Sequence, residues 1–142
     1  MLIHIRQKYN LLLNTIIDTH FEERDRFGRL CTFVARLRKD NSNGNVIGIG
    51  VNERTAIVID LSTDIGETVG SGDAYIILPG NNNMPQACEP NRPLTFTNVN
   101  VQKLESRYGD TFNFWTLTGG HPSLYYSVSV NNGQFNKNPY IP

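Results

Sequence analysis

The chain has 142 residues, 39% of them hydrophobic and 18% charged, enough for one domain with one core and too little for two. Thirteen Lys and Arg balance thirteen Asp and Glu, so no long-range field gathers nucleic acid or anionic lipid, and neither is an expected partner. Two cysteines, Cys31 and Cys88, are too few for a disulfide framework or a four-thiolate zinc site; no metal or cofactor is expected.

The predicted elements begin with Leu11-Leu12-Leu13 and Thr15-Ile16-Ile17, an apolar block read as a buried strand ending at Asp18. A helix follows, with Phe27, Leu30, Cys31, Val34 and Leu37 forming one apolar stripe. Glu22, Glu23 and Asp25 are expected in its first turns and Arg36, Arg38 and Lys39 in its last, each suiting the helix dipole. Asn41 to Asn45 end it in a loop. Val46 to Val51 is a strand whose glycines, Gly48 and Gly50, share one face and admit a close neighbour. Thr55 to Asp60 is the next strand, and the short Asn52-Glu53-Arg54 link predicts a hairpin between them. Glu67 to Gly70 and Ala74 to Leu78 are strands joined by a Gly70-Ser71-Gly72-Asp73 turn. Leu94 to Val101 and Leu124 to Val130 are further strands, Lys103 to Tyr108 a short helix, and Asn131 to Pro142 an irregular tail. One helix covers one face of such a sheet. The other face is expected to lack cover, which predicts marginal stability or self-association.

The chemistry concentrates between Asp18 and Arg29. His20 stands after a strand and before a helix, the end of a strand where ligands bind in open α/β sheets. Histidine rings titrate near neutral pH, so His20 is either a general base or a surface capping residue. Arg24, Arg26 and Arg29 fall within six residues near the positive end of the helix dipole, where cations are disfavoured. A bound carboxylate would explain them, since guanidinium forks match carboxylates in two-point fashion. The i,i+4 pairs Glu22–Arg26 and Asp25–Arg29 explain two of the three equally well.

Asp18-x-His20-Phe21-x-x-Arg24-x-Arg26-x-Gly28-Arg29-Leu30 resembles the D-x-H-F-x-x-R-x-R-x-G-R-L signature of cyanophycinase-like serine peptidases, relatives of dipeptidase E. Ile47-Gly48-Ile49-Gly50-Val51-Asn52-Glu53-Arg54-Thr55-Ala56 is similar to the G-I-G-I-D-E-x-T-A segment of the same family, with Asn52 in place of the aspartate. The resemblance covers residues 10–80 and implies an α/β fold: part of a class I glutamine amidotransferase-like sheet, with one main helix followed by β-hairpins and an irregular tail. Residues 1–115 are then the carboxy-terminal half of a peptidase domain, and residues 116–142 a weak strand and tail. The resemblance makes His20 the catalytic histidine, with Asp18, Arg24, Arg26 and Arg29 lining the pocket for an aspartyl substrate, as in the cleavage of aspartyl dipeptides or an Asp-Arg polymer.

The family's nucleophile stands on a G-x-S-A-G elbow upstream of the histidine. No G-x-S-x-G occurs in the 142 residues, and only nineteen residues precede His20. The chain is therefore expected to be inactive alone, its peptide or aspartyl dipeptide substrate engaged only when a partner chain or missing half brings the serine. Homo-oligomerisation is an alternative to such a partner, and a non-catalytic carboxylate-binding module an alternative to the enzyme. A carbohydrate-binding role for Trp115 and the Asn- and Tyr-rich second half is a third reading. Met1 to Ile5 lack a signal-peptide layout and no apolar run spans a membrane, so the cytoplasm is the expected compartment.

Among other residues, Glu53 either orients a catalytic group or pairs at a strand end. His121 is read as a loop histidine without a nearby acid, His4 as exposed, Cys31 as core, Cys88 as a loop thiol, and Phe112 and Phe114 as strand core.

Overall fold

A computed structural model describes residues 11–41 and 45–142. His4 and the Ser42-Asn43-Gly44 part of the predicted loop lie outside the described residues. The fold is mixed α/β, with one main helix and two sheets of mostly antiparallel strands and no closed barrel. Among the described residues, no helix is long and apolar enough to cross a membrane.

Strand β1 (Thr15–Thr19) leads through a turn into helix α1 (Phe27–Asp40) and then β2 (Ile47–Val51), which pairs with β1 in parallel. The remaining strands are β3 (Thr55–Asp60), β4 (Ile65–Gly70), β5 (Asp73–Leu78), β6 (Phe96–Glu105), β7 (Thr111–Asn113), β8 (Thr118–Gly119), β9 (Tyr125–Asn131) and β10 (Gln134–Phe135). Six form the large sheet in the order β1-β2-β5-β6-β9-β10, and four form the small sheet in the order β3-β4-β7-β8.

The glycine-bearing strand behaves as expected. A Cβ at Gly48 would stand 2.9 Å from a Val34 methyl, and one at Gly50 would enter the Phe21 ring. Helix α1 can therefore lie directly on β2, burying Phe27, Leu30, Cys31 and Val34 against Tyr75, Ile77, Val99 and Val101.

Four expectations need correction. The predicted β2–β3 hairpin does not form: β2 pairs with β5, and β3 belongs to the other sheet. Asn52 to Arg54 instead carry the chain from one sheet to the other, with Arg54 at φ +52° making the turn. The far face of the large sheet is not bare, because Ile47, Ile49, Ile76 and Leu104 pack against Phe112 and Phe114, with Ile57 and Ile59 alongside. The first strand is not buried: β1 is an edge strand, Leu11 to Asn14 form a turn before it, and Ile17 is exposed. Lys103 to Glu105 extend β6, leaving only Ser106–Tyr108 as a helical turn.

Helix α1 also starts later than expected. Glu22, Glu23 and Asp25 lie in the turn before it, and its first turn carries no acid. No side chain of the preceding segment caps it. Tyr140, from the carboxy-terminal tail, accepts the Phe27 N–H at 3.1 Å and takes that role from 113 residues away.

Candidate functional site

The site is a turn, residues 20–26, held between two strand ends. The Phe21 N–H bonds to the carbonyl of Val51 at 3.2 Å, so the turn is fastened to the end of β2. Its ends, His20 and Asp25, have left-handed φ of +50° and +47°, a conformation that non-glycine residues adopt sparingly. The ring of Phe21 fills the space left by Gly50 and packs on Phe27, Tyr75 and Tyr140. Tyr140 locks the turn from outside: besides accepting from Phe27, its single hydroxyl hydrogen points to the Asp25 carboxylate at 3.0 Å.

The link between the sheets is stitched to this turn residue by residue. Asn52 accepts from the Glu22 N–H at 3.1 Å and its amide donates to Glu22 Oε2 at 3.0 Å. An aspartate at position 52 could make only the first bond and would set two carboxylates together, so asparagine is the residue this local geometry requires. Tyr75 donates to the same Glu22 oxygen at 3.0 Å. Burial, with the Glu22 charge beside it, raises the phenol's pKa. The Glu53 N–H bonds to Glu23 Oε1 at 3.0 Å.

This stitching sets Glu53 beside His20, with His20 Nδ1 2.6 Å from Glu53 Oε1. The side chains are 41% and 46% exposed, so the pair is open to an approaching group. A carboxylate only accepts, which puts the hydrogen on Nδ1 and leaves Nε2 as the free lone pair of the neutral ring. Both residues line a cleft of about 430 Å³ with Thr19, Val51, Asn52, Arg54 and Thr55. Glu53 was one of two readings from sequence; nothing local to it points to a histidine 33 positions away.

Asp18, 6% exposed, is where two of the three arginines go. Arg29 grips it in a two-point fork, Nε to Oδ2 at 2.8 Å and Nη2 to Oδ1. Arg26 donates from Nη1 to Oδ1 at 3.2 Å and to the Thr19 carbonyl at 2.7 Å. Burial pushes the Asp18 carboxyl up. The Arg29 hydrogen bond and the charges of Arg29 and Arg26 outweigh it and hold the group below the usual carboxylate range. The expected Glu22–Arg26 and Asp25–Arg29 pairs do not form, because Asp18, Asn52 and Tyr140 take their places. Arg24 is exposed, and its guanidinium has no hydrogen bond or ion pair among the described residues.

Elsewhere, His121 does have an acid. Its Nδ1 lies 3.3 Å from Oδ1 of the buried Asp110, which corrects the reading of a histidine without one. Cys31 is buried in the core with its thiol pushed up to about 12, and is inert. Phe112 and Phe114 are core, while Trp115 is exposed. Among the described residues, no hydroxyl or thiol side chain hydrogen-bonds His20, and no three His, Cys, Asp or Glu side chains converge as metal ligands would.

No family model matches the chain. The chain is distantly similar to cyanophycinase. It is 30% identical over 121 residues to the cyanophycinase of Trichormus variabilis, covering 82% of this chain and 37% of that protein. The figures for the cyanophycinase of a Nostoc species are the same. The chain thus spans a little over a third of the length of these curated relatives, and the match extends beyond residues 10–80, where the motifs lie.

Proposed function

We propose that this chain carries the general-base portion of a cyanophycinase-like serine peptidase, in a fold related to class I glutamine amidotransferases. The nucleophilic serine stands on polypeptide outside these 142 residues. The His20–Glu53 pair, open at a cleft beside the end of β2, is the observation that carries this reading. In the assembled site His20 Nε2 takes the serine proton as Oγ attacks the scissile carbonyl. Glu53 holds the ring and stabilises the imidazolium. The imidazolium then gives that proton to the leaving amine, and a water repeats the cycle to release the acyl group.

The substrate is an aspartyl peptide. Its carboxylate meets Arg24, whose guanidinium has no partner among the described residues, with Arg29 beside it, 47% exposed. Asp18 offsets one of the two charges of Arg26 and Arg29, so the cluster keeps a net positive charge for that carboxylate. A non-catalytic carboxylate-binding module is the second reading, favoured by the same free Arg24. It gives no reason for a carboxylate on His20 Nδ1.

Removing the serine from such a triad lowers turnover by about a million-fold. The purified chain is therefore expected to show no cleavage of aspartyl peptides sensitive to serine-directed reagents. Such cleavage, copurifying with the chain and abolished by His20→Ala, would place the nucleophile within it and overturn this assignment.

A further inference from the structure

Arg38, in the last turn of α1, is 2% exposed. It bonds only neutral carbonyls: Nε to Val46 at 2.9 Å, and Nη1 to Gly80 at 2.7 Å and Asn83 at 2.9 Å. No carboxylate pairs with it among the described residues, and Nη2 has no partner there. Burial lowers its pKa to about 10, so it remains a cation at neutral pH. A buried charge without a counter-charge is costly to keep, and three carbonyl dipoles offset that cost only in part.

The same side chain lines a cavity of about 280 Å³, just below the usual size range of drug-sized ligand sites and so suited to a smaller molecule. Asn45, Asn81 and Asn100 line it as well, together with the larger apolar residues Ile47 and Leu78 and the ring of Tyr125. This cavity lies at the start of β2. His20 lies at its other end, beyond Val51, about 13 Å away at 3.3 Å per residue.

We propose that this cavity is a second binding site, for a small monocarboxylate with an apolar body. The carboxylate sits on the free edge of the Arg38 guanidinium and the Asn100 amide, and the apolar body rests on Ile47, Leu78 and Tyr125. A planar anion of single charge matches one guanidinium edge flanked by amides. A phosphate carries more charge and needs more donors than this wall offers.

The test is a titration of the full chain followed by ¹H–¹⁵N NMR, with sodium hexanoate, hexanamide and sodium phosphate as probes. Hexanoate is expected to give saturable shifts at Arg38 Nε–H and the Asn100 side-chain amide. Hexanamide, of the same shape but without charge, is expected to bind at least about tenfold more weakly, and phosphate not to saturate. Arg38→Ala removes a clamp on three carbonyls along with the charge, so Asn100→Leu serves as the variant. It should weaken hexanoate at least about fivefold and leave the His20 signals unmoved. Equal binding of hexanoate and hexanamide, saturation by phosphate instead, or hexanoate shifts that never saturate would each overturn the proposal.

Discussion

At the scale of single residues, orientation matters more than affinity in the His20–Glu53 pair. Both side chains are more than 40% exposed, and an exposed ion pair is worth less than about 1 kcal/mol. Glu53→Gln should therefore leave the unfolding midpoint nearly unchanged. Its effect belongs to the imidazole tautomer. In the native chain the neutral ring should carry its hydrogen on Nδ1, and in the variant, where the amide can also donate, the Nε2–H form should rise. ¹⁵N chemical shifts of the ring nitrogens report this directly, and an identical tautomer population in the two proteins would show that Glu53 does not set it. Asp18 behaves differently because it is buried. Its carboxyl is held below the usual value, so its contribution to stability is fully present above an ordinary aspartate pKa of about 3.9 and is lost as pH falls through the lower folded value. Urea unfolding measured from pH 6 downward should show an acid limb that is shallower in Asp18→Asn. Limbs of equal slope would assign the acid sensitivity to other carboxylates.

At the scale of elements, the tail and the turn of residues 20–26 act as one unit. Tyr140 caps α1, holds Asp25 and packs edge-on against Phe21, Phe27 and Tyr75. Tyr140→Phe keeps the ring and removes the hydroxyl, leaving the Phe27 N–H without its partner at a cost of about 1–3 kcal/mol. Hydrogen exchange should quicken at Phe27 and through residues 21–26 while β5 and β6 stay protected. Unchanged exchange in that turn would remove Tyr140 from its support. These ties also show what a sequence can and cannot disclose. The stripe of α1 and the paired glycines of β2 were legible, because periodicity and the missing Cβ are local properties. The kinship to cyanophycinase was legible through the D-x-H-F residue types at fixed spacing, while the turn that carries them was misread as the start of the helix. The exit from β2 was misread, since a three-residue link between two strands is the usual hairpin signal, whereas the actual partners, β5 for β2 and β4 for β3, are set by strands further along the chain. The arginine partners were misread because Asp18 stands on a strand and helical spacing does not reach it. The burial of Arg38 was invisible because its acceptors, at positions 46, 80 and 83, meet only in the folded chain.

At the scale of the whole molecule, a helix layer, a six-stranded sheet and a smaller sheet enclose two cores, one on each face of the large sheet. The His20–Glu53 pair sits where the chain passes from one sheet to the other, so its geometry depends on how all three layers are joined. Among the described residues no hydroxyl or thiol side chain hydrogen-bonds His20, and the curated relatives are nearly three times as long as the part that matches. The central claim, that this segment supplies a working base to a serine held elsewhere, is tested most directly by exchange. Residues 15–78 are placed in the Nostoc cyanophycinase in place of the matching segment, and hydrolysis of an aspartyl substrate is measured. The chimera should be active, and His20→Ala should lower its turnover by about a thousand-fold or more. A folded chimera that is inactive, or one whose turnover is indifferent to His20→Ala, would contradict the claim.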